Sequence, residues 1–379
     1  MESFHEDDWL EKLSTCLLFH RFHKRYRKIK NEYAYVNEYM EMVVKKRSDA
    51  IDMVKGLSIM TLFYLHFEEG WMNTDLNYFI VRSPAFYIVV GWLWGMSSNR
   101  RTLKEHWQKR KQGLVMPYLW FSLIFIVLDL VLLAISWIEP FILYRDVYKT
   151  LCLRGVGTLW FLPALLGGEM LFLSVRDRAY MQKIVALSIS FFIICLYHSW
   201  SVSALHDGGS ISQIVDAPLK VIREICNSFI YISIAYYISS YCGKKLFNSK
   251  KFFLFLIGSI ALIVAFYLAN HNHGSFFIPY QLVFVLYNLL AGIGVLLFFR
   301  SIETVQVVSR PLVYCGKNSL VIMTMHWALF TIALSVDKNL LLHETYSGFR
   351  TIVYFLISVI LLIGIIELIN RKLSFIIGR

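Results

Sequence analysis

Long runs of apolar residues, separated by short polar connections, make up most of the chain beyond residue 50. Each run extends over 18 to 24 residues, and at about 1.5 Å per residue such a helix is long enough to cross a lipid bilayer. The pattern therefore predicts an all-α, polytopic integral membrane protein with about ten transmembrane helices. The predicted spans are residues 51–68, 78–97, 114–137, 158–175, 183–202, 219–240, 252–270, 280–299, 312–334 and 352–370.

Basic residues are distributed unevenly among the connections between these spans. The connection 99–112 holds six Lys and Arg residues, whereas the connection 67–78 holds none. Because basic connections stay in the cytoplasm, we expect both termini to be cytoplasmic and the protein to be a multi-pass protein of the inner (plasma) membrane. The asymmetry is weakest on the predicted outer side at 138–157, where Arg154 and two other basic residues lie.

The composition agrees with a membrane protein and limits its partners. Only 17% of the residues are charged, whereas a soluble domain has about 25%. The net charge of +12 is explained by topology, so membrane lipids are expected partners and nucleic acid is not. The six Cys residues are scattered without the spacing of a zinc site or a disulfide framework. We therefore expect no metal site and no permanently bound cofactor.

Residues 1–46 differ from the rest of the chain in being polar and strongly basic, without the apolar core of a signal peptide. They predict a cytoplasmic N-terminal arm, followed by a membrane-embedded domain over 47–379. Trp9, Leu13 and their apolar neighbours suit one face of an interfacial helix. A solvated arm with little helix is an equally good interpretation.

The first predicted span, Ile51 to His66, carries three ionisable side chains on one stripe. At about 100° per residue, Lys55 and His66 point to within about 20° of the same direction, and Asp52 lies about 40° from it. Ionisable groups in a membrane are costly and usually face a cavity or the bundle interior, which favours a functional role. His66 is suited to act as a general base, with Asp52 as an orienting partner. The alternative for His66 is an interfacial residue that hydrogen-bonds a neighbouring helix.

This stretch resembles the first membrane helix of acyltransferase family 3, whose multi-spanning members O-acylate cell-surface sugars. The family has an acidic residue, a basic residue and a His in this order, with Arg where this chain has Lys55. The second span resembles the family's second helix in Pro84, Gly91 and Gly95, although Val90 stands where Ser is common. Small residues let helices approach closely, so we expect the two glycines to serve packing.

The resemblance implies a set of residues that bind the acyl donor. Lys55 would neutralise a donor phosphate; alternatively it extends to the inner headgroups or pairs with Asp52. The basic connection resembles the family's basic segment, with Arg110 matching the first Arg of a pair and Gly113 replacing the second. An ordinary cytoplasmic loop is the competing interpretation. The implied donor-binding residues are Lys55, Arg110, Arg100 and Arg101.

Two later segments also resemble family motifs. GTLWFLP, from residue 157, resembles a Trp-Phe-Leu motif, so Trp160 and Phe161 are candidates to stack on a sugar ring; a membrane-interface anchor is the alternative. CGKNSLVIMTMHW, from residue 315, resembles the family's late Asn-Ser and His pattern. Ser319 and His326 lie within about 20° of one helical face, Asn318 to one side. These residues would line the cavity of His66, or instead form interhelical hydrogen bonds.

Two acidic residues, Asp129 and Glu169, lie deep within predicted spans. Carboxylates at such depth are expected to pair across helices.

The resemblance covers residues 47–370 and implies a membrane-bound O-acyltransferase. The expected donor is acetyl-CoA or another short acyl-CoA from the cytoplasm, used as a co-substrate, and the expected acceptor is a hydroxyl of a cell-surface polysaccharide or lipid-linked sugar. The alternative is a polysaccharide or lipid transporter whose intramembrane charges form a translocation path. Such a transporter would be expected to show internal repeats and broken helices, and neither is evident in the sequence. The sequence leaves open the acceptor sugar, the acyl chain and whether a homodimer forms.

Overall fold

The fold is described from a computed structural model over residues 48–72, 83–97, 101–204, 210–271, 277–339 and 348–378. The predicted arm over 1–46 lies outside these residues. Within them the backbone is helical and contains no strand, as the apolar pattern predicts. The helices are α1 Asp49–Met72, α2 Pro84–Met96, α3 Leu103–Arg110, α4 Met116–Ala134, α5 Pro140–Leu151, α6 Phe161–Arg176, α7 Tyr180–Ala204, α8 Ser210–Ile238, α9 Lys244–Phe247, α10 Lys251–His271, α11 Phe277–Ile302, α12 Gln306–Lys317, α13 Ser319–Asn339 and α14 Gly348–Lys372.

Seven stretches of helix in the described residues are long and apolar enough to cross a membrane. Of the other predicted spans, α2 has 13 residues and α6 has 16, while α8 is long but carries several charged residues near its start. The multi-pass architecture is thus confirmed, whereas the count of ten spans and the cytoplasmic location of both termini stay predictions.

The predicted span 312–334 is divided into two helices, α12 and α13. Asn318 leaves the helical conformation, with φ −102° and ψ 12°. Its side-chain amide donates to the carbonyl of Tyr314 at 2.9 Å and its side-chain oxygen accepts from Asn370 at 2.8 Å. Asn side chains that bond the backbone locally compete with helix continuation. The polar residues Lys317, Asn318 and Ser319 mark this position in the sequence, but the predicted span joined the apolar stretches on either side of them.

The basic connection after α2 is a helix rather than an irregular loop. Thr102 and Glu105 form a capping box at the start of α3, since each side chain bonds the other's backbone N–H. A π-helical turn, Lys111–Val115, joins α3 to α4. The helical geometry places His106 and Arg110, four residues apart, on one face.

Glycines allow the closest approaches between helices. A Cβ at Gly91 would lie 2.3 Å from the carbonyl oxygen of Ile232, and a Cβ at Gly95 would lie 2.5 Å from that of Tyr236. The packing role predicted for these two glycines is therefore confirmed, with α8 as the partner of α2. In the same way Gly316 of α12 abuts the backbone of α1, where its Cβ would lie 1.8 Å from the Asp52 carbonyl oxygen.

Two apolar clusters lie one at each end of α1. The first surrounds Phe63 and Phe67 and is rich in aromatic side chains, including Tyr87 and Phe161. The second surrounds Met53 and includes Trp92. Since lipid is as apolar as these side chains, close packing rather than removal from water holds the helices together. The two clusters define the His66 end and the Asp52 end of the bundle.

Candidate active site

A cavity of about 410 Å³ lies at the His66 end. Helices α1, α2, α8 and α11 form its walls, together with the segment between α5 and α6. Its lining mixes aromatic, charged and amide side chains, as a site for a polar ligand requires. The lining residues that matter for the chemistry are His66, Tyr87, Arg154, Trp160, Lys220, Arg223, Glu224 and Asn227.

His66 contacts a second histidine directly. Its Nδ1 lies 2.9 Å from Nε2 of His326, and the two ring planes are nearly parallel, with an interplanar angle of 7°. His326 is fully buried, and its Nδ1 lies 2.7 Å from the backbone carbonyl oxygen of Ile322. His326 therefore contacts the cavity only through His66.

The carbonyl of Ile322 fixes the direction of this hydrogen-bond chain. A carbonyl oxygen only accepts, so Nδ1 of His326 carries a proton and donates it. In the neutral ring Nε2 of His326 is then an acceptor, so Nδ1 of His66 is the donor. This leaves the proton off Nε2 of neutral His66. An oriented imidazole with one nitrogen unprotonated is the arrangement of a general base.

Aromatic packing holds the two histidines in place. The ring of Trp327 stands edge-on to His66, with centroids 5.2 Å apart, and Phe63 packs on His326 at 5.4 Å. Trp327 in turn fits against Gly157, which has φ +54° and whose Cβ would lie 2.2 Å from the indole ring. The hydroxyl of Thr158 donates to the carbonyl of Met323. These contacts fasten the segment before α6 to the helix that carries His326.

The same segment brings a cation to the cavity. Arg154 lies over the ring of Trp160, with its guanidinium carbon 5.8 Å from the centroid, and both side chains line the cavity. Trp160 therefore lines the cavity, and its sugar-stacking role stays a prediction. Phe161 is buried behind the lining, stacked on Tyr87 with centroids 5.2 Å apart, so its contact with the cavity is indirect.

Asn318 and Ser319 lie elsewhere, so their expected grouping with His66 needs correction. Neither lines the cavity. Asn318 is at the break between α12 and α13, next to Gly316, which touches Asp52. Residues seven apart on a helix share a face but are about 10 Å apart along the axis. Ser319 is therefore near the Asp52 end while His326 reaches His66.

At the Asp52 end, the other polar residues of the α1 stripe form an ion pair. Nζ of Lys55 lies 3.0 Å from Oδ1 of Asp52, and the Asp52 side chain is buried. This is the pairing considered as an alternative for Lys55 in the sequence. It also separates Asp52 from His66, because 14 residues of helix span about 21 Å. Asp52 is therefore too far along the helix to orient His66 directly.

Glu169 forms a buried ionic cluster with α3. It accepts from Nε of Arg110 at 2.7 Å and is also bonded by Nη2, and it lies 2.9 Å from Nε2 of His106. The predicted pairing of this carboxylate across helices is confirmed. Arg110 is thus partly neutralised by Glu169, whereas Arg101 is exposed and Arg100 lies outside the described residues. The other deep carboxylate, Asp129, is buried, and its Oδ2 has no hydrogen-bond partner among the described residues.

Sequence reasoning missed several lining residues, above all the cations of α8. Lys220 and Arg223 lie at the edge of a predicted span, where basic residues are usually interpreted as anchors at the membrane interface. Their spacing with Glu224 and Asn227 was a usable signal, since these positions share one helical face. His106 was also missed, although its four-residue spacing from Arg110 favours joint binding of one partner. No three His, Cys, Asp or Glu side chains cluster as metal ligands in the part of the chain described.

One known protein family covers most of the chain, including the helices that line the cavity. The sequence matches the acyltransferase family 3 profile, described as "Acyltransferase domain", over residues 48–371. No curated protein and no solved structure gives a significant match. The matched region contains every helix that lines the cavity, together with the His pair and the Glu169 cluster. The chain therefore belongs to acyltransferase family 3, and it is a multi-pass membrane protein whose chemistry is acyl transfer.

Proposed function

We propose that the protein transfers an acetyl or other short acyl group from cytoplasmic acyl-CoA to a hydroxyl of a cell-surface polysaccharide or glycolipid, with His66 as the general base. The observation that carries the proposal is the hydrogen-bond chain from His66 through His326 to the carbonyl of Ile322. It leaves Nε2 of a cavity-lining histidine ready to take a proton.

In the proposed reaction Nε2 of His66 removes the proton of the acceptor hydroxyl. The acceptor oxygen attacks the thioester carbonyl, the new ester C–O bond forms, and the C–S bond breaks to release the CoA thiolate. The proton held by His66 then passes to that thiolate. His326 is a positioning residue, because it is fully buried and acts by holding the ring of His66.

The donor would enter from the Asp52 end, where α3 presents its basic residues. Lys109 lies within electrostatic range of Arg101 and Arg110, so a polyphosphate would meet several cations together. We assign the donor phosphates mainly to the exposed cations of this group, since Arg110 is bonded to Glu169 and Lys55 to Asp52. The thioester would then reach toward His66 along α1, a distance of about 16 Å from Lys55.

The test is transfer from radiolabelled acetyl-CoA to envelope glycans in membranes that contain wild type, His66→Ala or His271→Ala at matched protein levels. His271 is the control because it is exposed and bonded to the carbonyl of Tyr267. We expect transfer to fall by at least about 100-fold in His66→Ala and to be unchanged in His271→Ala. Equal transfer by wild type and His66→Ala would remove His66 from the chemistry.

A covalent acyl-His66 intermediate is the main alternative within this mechanism. Wild-type protein given labelled donor without acceptor, then quenched in acid, should carry no label if His66 acts only as a base. Stoichiometric label that is absent from His66→Ala would instead establish nucleophilic catalysis.

A further inference from the structure

The cavity around His66 is lined by positively charged side chains that the proposed proton transfer at His66 does not require. Three cationic side chains line it, from Arg154, Lys220 and Arg223, against the carboxylate of Glu224. Arg223 is bonded to Glu224. Neither Arg154 nor Lys220 forms an ion pair with any described residue. Among the lining residues the positive charges thus outnumber the negative ones by two, and Asp216, which does not line the cavity, is a further carboxylate in electrostatic range.

These cations are directed into the cavity by regular structure. On α8, Lys220, Arg223, Glu224 and Asn227 fall at spacings of three, four and seven residues, which place them on one helical face. Arg154 reaches the same space from the segment before α6, where its guanidinium lies over the ring of Trp160. A solvated or interfacial cation would instead extend toward the headgroups. The cavity is therefore built with its charges facing inward.

Holding these charges without an anion is unfavourable. Burial lowers the pKa of the Arg154 guanidinium, and the more distant carboxylates of Glu224 and Asp216 only partly oppose this. Charged groups removed from water need a partner of opposite charge. A ligand that brings an anionic group would supply it.

The rest of the lining suits a sugar. Trp160 offers an aromatic face to the cavity, and sugar rings stack on such faces through their C–H groups. The hydroxyl oxygen of Tyr87 and the side-chain oxygen of Asn227 are buried without a hydrogen-bond partner among the described residues. Buried polar atoms of this kind are normally satisfied, here by ligand hydroxyls.

We infer that this cavity binds the acceptor glycan through an anionic group, which is either the carboxylate of an acidic sugar or a phosphate that joins the glycan to its lipid. Arg154 and Lys220 would hold the anion, while the sugar stacks on Trp160 with a hydroxyl at Nε2 of His66. The inference rests on the proposed function in taking the glycan as acceptor. It adds that charge selects the acceptor.

The first experiment compares wild type with Lys220→Gln, Arg154→Gln and the control Lys149→Gln. Lys149 is a basic residue of α5 that pairs with Asp146 and does not line the cavity. Transfer from labelled acetyl-CoA is measured at increasing concentrations of native envelope glycan. We expect the half-saturating concentration of glycan to rise about tenfold or more in the two cavity variants and to stay within about twofold in the control. Unchanged half-saturation in both cavity variants would overturn the inference.

The source of the anion is tested with treated glycans. One portion has its carboxyl groups converted to amides, and another has its glycosyl phosphate linkages cleaved by mild acid. Loss of affinity after amidation alone identifies an acidic sugar, and loss after mild acid alone identifies the linking phosphate. If both treated glycans bind and react as the native glycan does, no anion is recognised and the inference is wrong.

Failure of the proposed function is distinguished by a binding measurement. Should wild-type membranes transfer no acyl group, equilibrium dialysis of the purified full-length protein against labelled native and amidated or acid-treated glycan still decides the question. Binding that requires the anionic group and is weakened in Lys220→Gln supports an anionic ligand for the cavity. Binding that is absent, or equal for native and treated glycan, overturns it.

Discussion

At the scale of single residues, the direction of one hydrogen bond decides which nitrogen of His66 is unprotonated and can accept a proton. The carbonyl of Ile322 acts on His66 only through His326. His326, a buried neutral residue, thus sets the tautomer of His66. In Ser-His-Asp triads a carboxylate sets the tautomer of the catalytic histidine. Unlike a carboxylate, His326 brings no negative charge to stabilise a protonated His66, so its contribution is orientation.

This role predicts different outcomes for two substitutions of His326. His326→Ala should lower kcat by about 100-fold and leave the KM for acceptor unchanged, because the tautomer and ring orientation of His66 are no longer set. His326→Gln should recover part of the rate, since its side-chain oxygen can accept from Nδ1 of His66. Steady-state transfer kinetics and the pH–rate profile of each variant provide the measurement. Equal loss in both variants, with a matching loss of thermal stability, would mean that the residue is only structural.

The buried carboxylate of Glu169 is expected to stabilise the folded protein. Glu169→Ala would leave Arg110 and His106 without their buried acceptor, and breaking a buried ion pair costs about 3–5 kcal/mol. Glu139→Ala is the matched control because that side chain is exposed. Thermal unfolding in detergent should show a marked decrease in Tm for Glu169→Ala alone. An unchanged Tm would show that the cluster does not stabilise the fold.

At the scale of elements, glycine contacts determine how close the helices come and therefore where the cavity walls lie. α2 and α8 each contribute to the lining, through Tyr87 and through Lys220 to Asn227. Their backbones meet at Gly91 and Gly95. A small separation of these helices would move the α8 cations away from Arg154 and Trp160.

Substitution of Gly91 tests this dependence. A methyl group there would lie 2.3 Å from a backbone carbonyl oxygen, which cannot move without displacing α8. Gly91→Ala is expected to destabilise the protein by about 1–3 kcal/mol and to weaken acceptor binding. Gly364→Ala is the control, because no atom lies within 4 Å of its Cβ position. The measurements are thermal unfolding and the acceptor KM. If both variants matched wild type in both measurements, the position of the cavity walls would not depend on the close approach at Gly91.

At the scale of the whole molecule, the two ends of the bundle carry different chemistry. The His66 end holds the cavity, and the Asp52 end holds the basic α3 helix and the Glu169 cluster. The proposed transfer from a cytoplasmic donor to a cell-surface acceptor requires that the first end face outward and the second face the cytoplasm. Charge asymmetry predicts this orientation.

Cysteine labelling in intact cells tests the orientation. Leu151 is the last residue of the helix α5, on the predicted outer side, and is 78% exposed. Tyr241 lies near Lys244 and Lys245 at the other end and is 95% exposed. Leu151→Cys should react with a membrane-impermeant maleimide in intact cells, and Tyr241→Cys only after permeabilisation, each above the labelling of the parent protein. The reverse pattern would invert the topology.

The sequence alone was sufficient to predict the fold class, because a membrane-spanning helix is recognised by the length and apolar composition of its run. It was sufficient also for the family and for the packing of Gly91 and Gly95, because these depend on local spacing and residue size, whereas the role of His66 stays a prediction. The break at Asn318 and the helical form of α3 depend on capping contacts, which an apolar pattern does not record.

Tertiary structure alone decided which polar groups meet. His66 and His326 are 260 residues apart in sequence, and Arg154 and Lys220 reach one cavity from different elements. Glu169 meets Arg110 because α6 packs on α3. Such contacts depend on how helices cross, which is set by side-chain packing along whole surfaces rather than by the periodicity of any one segment.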